Sequence, residues 1–136
     1  MSVHSRVNMF LYINMTCSSP YSNYCHLDFP VNFEIAGEIG LSEINFEFKQ
    51  GSECFDLCCD ICDTSLTQNN QLPILRRVYA SKKRQYISYD PIHYIPIVKA
   101  KPYFLKVYLR PVSDDQASVD LKTVQCTLHI RESLSS

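Results

Sequence analysis

Four of the seven cysteines fall between positions 54 and 62: Cys54, Cys58, Cys59 and Cys62. Sulfur concentrated in this way can bind a soft metal or exchange between thiol and disulfide. A structural zinc would need Cys59-Asp60-Ile61-Cys62 to form a turn. It would also need a second ligand pair drawn from Cys17, Cys25, Cys126, His26 or His129. No second CxxC is present, and the paired motif is what makes such a site recognisable.

Read as a strand, the same stretch puts Phe55, Leu57, Cys59 and Ile61 on one face and Cys54, Asp56, Cys58, Asp60 and Cys62 on the other. Alternate strand residues lie about 6.7 Å apart, so Cys58 and Cys62 would sit about 13 Å apart. One tetrahedral zinc, with sulfur ligands at about 2.3 Å, cannot join them. The strand reading makes Cys59 and Cys126 small buried hydrophobes and the remaining cysteines surface or interface thiols. An odd number of cysteines with an adjacent Cys58-Cys59 pair points to reduced thiols rather than a disulfide framework.

Catalytic chemistry finds less support. The chain has no Gly-rich phosphate loop, no HExxH and no GxSxG, and His4, His26, His93 and His129 are scattered one per segment. Cys126 and His129 are three apart on an alternating segment, which turns them to opposite faces. No catalytic, cofactor-binding or metal-binding residue is therefore assigned, no cofactor is expected, and the chain is read as non-enzymatic. Tyr79, Tyr86, Tyr89, Tyr94, Tyr103 and Tyr108 crowd the second half. They suit a protein interface, although β-propensity alone would also place them there.

The elements that must position these residues are short β-strands. Val124, Cys126, Leu128 and Ile130 alternate with Thr123, Gln125, Thr127 and His129, and Leu105, Val107 and Leu109 alternate with Lys106, Tyr108 and Arg110. Pro111 to Asp115 supplies turn chemistry between the two segments. Glutamates at 34, 38, 43 and 47 approach helical spacing, but Gly37 and Gly40 would each cost a helix about 1 kcal/mol. Ile39 and Leu41, then Ile44, Phe46 and Phe48, alternate as a strand whose phase slips near Ser42 and Glu43. Such a slip is what a β-bulge or a crossing between sheets produces. Met9–Asn14, Leu27–Phe33, Phe55–Ile61, Ile74–Tyr79, Tyr86–Tyr89 and Tyr94–Val98 complete the set, with Pro96 demoting the last to an edge or a bulge. The expectation is an all-β, jelly-roll-like sandwich of two antiparallel sheets with about eight short strands and almost no helix.

Composition bounds the rest. With 136 residues, 46% of them hydrophobic and 20% charged, the chain reads as a single globular β-sandwich domain over 1–136, opened by a short extended N-terminal segment. A formal net charge of -1 gives no global cationic field, so no specific nucleic-acid partner is expected. Arg76, Arg77, Lys82, Lys83 and Arg84 form a basic stretch and Glu34, Glu38, Glu43 and Glu47 an acidic one, an asymmetry that suits contact between copies. No apolar run is long enough for a membrane span. The start mimics a secretory signal, but Asn8 and Asn14 bound a very short apolar core. Asn14-Met15-Thr16 is a glycosylation sequon that matters only on secretion.

Ordered motifs extend the reading. Leu11-Tyr12-Ile13-Asn14 and then Phe29 through Ile44, with Gly37-Glu38-Ile39-Gly40-Leu41-Ser42-Glu43-Ile44 at its end, resemble the opening of the penton, or minor capsid, proteins of the Polinton and adintovirus lineage. Cys59-Asp60-Ile61, Leu72 to Val78, His93 to Ile97, Leu105 to Leu109 and Cys126 to Arg131 follow in the family's order. The chain departs from the pattern at Ile39, where Trp is common, and at Ser113 to Ser118, where an Asp-x-x-Gly turn is expected. The resemblance implies a single jelly roll forming a homopentamer at the fivefold vertex of an icosahedral virion. It would be assembled inside the host cell beside a double jelly-roll major capsid protein. Two alternatives stay open: a non-enzymatic β-sandwich binding module, C1q-like or immunoglobulin-like, and a small zinc-binding β-domain.

Overall fold

The computed structural model describes residues 8–16, 24–28, 37–63, 65–67, 70–98, 104–112 and 119–132, with backbone alone for 24–28, 65–67, 70 and 104–105. In chain order the strands are β1 (Asn8–Thr16), β2 (Tyr24–Asp28), β3 (Gly37–Phe48), β4 (Phe55–Cys59), β5 (Ser65–Thr67), β6 (Asn70–Leu72), β7 (Ile74–Val78), β8 (Arg84–Ser88), β9 (Tyr94–Pro96), β10 (Phe104–Pro111) and β11 (Leu121–Glu132). Among the described residues there is no helix.

Two antiparallel sheets carry the fold. The larger runs β1-β11-β3-β8, with β9 also paired to β3; the smaller runs β2-β10-β4-β7; β5 and β6 form a separate hairpin. Successive strands of the body cross between the sheets except from β4 to β7, where the hairpin intervenes, and from β8 to β9, which both pair with β3. This interleaved order is jelly-roll-like. It overturns the immunoglobulin-like version of the binding module, because that fold pairs its first two strands within one sheet, whereas β1 and β2 lie in opposite sheets.

The core lies between the sheets and follows from the alternation. Val124, Cys126, Leu128 and Ile130 are buried from β11, and Val107 and Leu109 from β10. Phe46, Phe48 and Phe55 meet edge to face, with centroids 5.4 to 6.1 Å apart, the arrangement ring quadrupoles favour. The phase slip in β3 is a bulge. Thr127 pairs with Glu43 and Leu128 with Leu41, so Ser42 has no partner on β11. Its carbonyl accepts from the Tyr89 backbone N–H at 2.9 Å on the other side of the strand. The extra residue lets Leu41 and Ile44 both face inward, fully buried.

Several expected boundaries move. The stretch expected as one strand from Phe55 to Ile61 ends at Cys59, and Asp60 and Ile61 turn. The last edge strand is Tyr94–Pro96 rather than Tyr94–Val98, with Ile97 bridged instead to Cys62. Pro96 does lie on an edge, as its missing N–H requires. The strand expected over Leu27–Phe33 is observed as Tyr24–Asp28, and residues 29–36 lie outside the described residues, as do 1–7 and the turn at 113–118.

Candidate binding face

The cysteine cluster is structural in its surroundings. Because the strand stops at Cys59, the 13 Å spacing argument for Cys58 and Cys62 does not hold. Cys59 to Cys62 is a turn, closed by the Cys62 N–H on the Cys59 carbonyl at 3.2 Å and by the Cys62 thiol on the same oxygen at 3.1 Å. Cys58 and Cys62 are also not surface thiols: both are buried, as are Cys59 and Cys126, while Cys54 is half-buried. Burial pushes the Cys58 thiol up to about 12, with the Asp56 charge adding to it, and the Cys62 thiol up to about 11. Burial also raises Cys59. Thiols held protonated in this way are poor nucleophiles and poor ligands. No group of three or more His, Cys, Asp or Glu side chains is placed to hold a metal among the described residues.

Both faces of β4 are covered. Asp56, on the side away from the core, is 2% exposed. It accepts a forked pair of hydrogen bonds from Arg77, Nε to Oδ1 at 2.8 Å and Nη2 to Oδ2 at 3.2 Å. That pairing is what a desolvated carboxylate requires.

The charged stretches meet within one chain. Arg84 donates to Glu47 across β8 and β3 at 3.2 Å, which holds the Glu47 carboxyl below its ordinary range. Arg76 stacks over Tyr89 at 3.9 Å. The expectation that these stretches serve contact between copies is thus answered in part by pairing inside the sandwich.

The outer face of the larger sheet carries two neighbouring clusters. At one end His129 is held on both nitrogens. Asn8 Oδ1 accepts from Nε2, which leaves Nδ1 to accept from the Tyr94 hydroxyl at 2.6 Å. Phe10 stacks on the imidazole at 4.4 Å between centroids. Arg131 lies 3.5 Å over the Tyr94 ring and donates to Glu38 at 2.7 Å. Burial, then the Arg131 charge, lowers the His129 pKa below 6.5. His129 and Cys126 do face opposite sides, His129 outward and Cys126 into the core. Gly40, opposite both His129 and Tyr94 in register, leaves the space that lets β9 approach.

At the middle of the same face lies an open groove of about 230 Å³. Tyr12 and Tyr86 wall it, 76% and 59% exposed. Asn14, Gln125 and Asn45 are register neighbours on β1, β11 and β3, and Tyr86 follows on β8. Glu43 accepts from the Tyr86 hydroxyl at 2.5 Å and from the Thr127 hydroxyl at 3.2 Å, which fixes the Tyr86 ring. A second depression of about 230 Å³ shares Asn45 and Gln125 and extends to Glu47 and Arg84.

The tyrosine-rich second half supplied Tyr86, but Tyr12, Asn14, Asn45 and Gln125 carry no mark of a shared site in the sequence. Only the antiparallel register brings Asn14, Gln125 and Asn45 side by side. No protein-family model and no curated protein matches the chain. Among solved structures it is similar to the Drosophila NLP core, whose structure is described as bearing on pentamer formation and histone binding. The identity is 8% over 96% of this chain and 100% of that one, with a TM-score of 0.38. A likeness this weak carries no argument about what the chain does.

Proposed function

We propose that the chain is a structural subunit that works by binding other protein surfaces. In its fuller form it is a penton, or minor capsid, protein of the Polinton and adintovirus kind. Five copies would close a ring at the virion's fivefold vertex, in contact with a double jelly-roll major capsid protein. The observation that supports this best is the strand order, β1-β11-β3-β8 packed on β2-β10-β4-β7, which is the single jelly roll that the ordered motifs imply. A fivefold ring uses a heterologous interface, one patch of a subunit on a different patch of the next.

A second reading, a jelly-roll binding module that does not build capsids, is favoured by the open groove between Tyr12 and Tyr86. Native mass spectrometry of the recombinant protein in reducing buffer separates the two. A metal-free pentamer is the result expected of a vertex subunit. A monomer at high concentration and near-physiological salt removes the vertex reading and leaves the module. A monomer retaining one zinc overturns both.

A further inference from the structure

Hydrogen-bonding capacity on the outer face of the larger sheet is distributed unevenly. In the row containing Glu43, each carboxylate oxygen is engaged, one by Tyr86 and one by Thr127, and in the row containing Glu47 that carboxylate is paired with Arg84. Between them, Asn14, Gln125 and Asn45 make no side-chain hydrogen bond among the described residues. Each amide offers two N–H donors and one acceptor oxygen. The row therefore presents an array of donors and acceptors across three strands, with a tyrosine at either side.

We infer that this groove binds a neutral saccharide. Vicinal hydroxyls donate and accept at once, and a row of amides answers both without charge. The C–H face of a pyranose ring is apolar and packs on an exposed aromatic ring, a role open to Tyr12, while Tyr86 is held in place by Glu43. A cavity of about 230 Å³ is smaller than the roughly 300–1,000 Å³ of a drug-sized pocket and suits one ring. The adjoining depression, sharing Asn45 and Gln125, offers room for the next. No lysine or arginine lines the first groove and Glu43 does, and Arg84 in the second is already paired with Glu47, so a sulfated, phosphorylated or sialylated sugar would bring a further negative charge with no unpaired cation lining either depression. The inference is independent of how many copies assemble.

The test is an array of immobilised galactose-, mannose- and N-acetylglucosamine-terminated glycans with sialylated and sulfated counterparts. Calorimetric titration with the best free oligosaccharide follows. Retention of one or more neutral glycans is expected, with rejection of their charged forms. Tyr12→Ala and Gln125→Ala should each weaken binding at least about tenfold. Both side chains are exposed, so circular dichroism and thermal melting should match the wild type. Absence of retention for every neutral glycan overturns the inference. So does retention confined to charged glycans, or affinity unchanged in both folded variants.

Discussion

Replacing Gly40 by alanine tests how closely β9 is seated on β3. A Cβ at this position would lie 2.4 Å from Ile92 Cγ2, 2.7 Å from the His93 carbonyl oxygen and 3.3 Å from Tyr94 Cδ1. The Ile92 side chain is half-exposed and can rotate away, but the His93 oxygen belongs to the backbone leading into β9. The strand must therefore retreat by several tenths of an ångström. Overpacking of this kind costs about 1–3 kcal/mol. Loosening the short ladder at Gly40–Tyr94 and Ile39–Ile95 forfeits one or two hydrogen bonds at about 1 kcal/mol each. The expected loss is about 2–5 kcal/mol. For a chain of this length that lowers Tm by roughly 8–20 °C, at about 4 °C per kcal/mol.

Urea and thermal unfolding measure the change, and Gly51→Ala serves as a comparison. Gly51 has φ +68 with no atom near the added Cβ, so only backbone strain of about 1 kcal/mol is expected there. Amide exchange should quicken at residues 93–95 in the Gly40 variant alone. A Gly40→Ala protein within 0.5 kcal/mol of wild type, about the scatter of a neutral surface change, would refute the close seating of β9.

Three further outcomes follow from the same contacts. His129 has a folded-state pKa below its unfolded value, so its contribution is complete above about pH 6.5 and is lost as pH falls through the folded pKa. In urea titrations the stability gap between wild type and His129→Gln should narrow from pH 7.5 to 5; a constant or widening gap contradicts the sign. Asp56→Asn should cost about 1.5–3 kcal/mol in chemical denaturation, the range for hydrogen bonds to charged groups. The figure stays below that of a fully buried pair because the Arg77 side chain, 37% exposed, can reach water; a change under 0.5 kcal/mol refutes the pairing. Maleimide at pH 7.5 followed by peptide mapping should modify Cys54 well before Cys58, Cys59, Cys62 and Cys126, whose burial shields them. Early modification of Cys62 would show that the turn opens.

Much of the fold was legible because a half-buried strand writes its two faces directly into alternating residues. Val124 to Ile130 and Ile39 to Phe48 announced their inward faces, and even the slip at Ser42 was visible, since one inserted residue inverts the pattern. The cysteine stretch misled for a related reason. Phe55, Leu57, Cys59 and Ile61 keep the alternation past the point where the strand ends, and the turn has neither Gly nor Pro to mark it: Cys59, Ile61 and Cys62 are buried and Asp60, half-buried, falls where the alternation expects a polar residue anyway. The charged stretches misled because sequence distance hides partners: Glu47 and Arg84 are 37 residues apart yet adjacent in register.

The class, an all-β sandwich with its core faces assigned, was readable from the residue order, because local periodicity and turn chemistry act over a few residues. Which strands lie beside which emerged on folding. Long-range backbone pairing set the jelly-roll order, closed His129 between Asn8 and Tyr94, and aligned Asn14, Gln125 and Asn45 into one row. Such neighbours come from separate strands, and cross-strand contact depends on register between segments that carry no mark of one another in the linear chain.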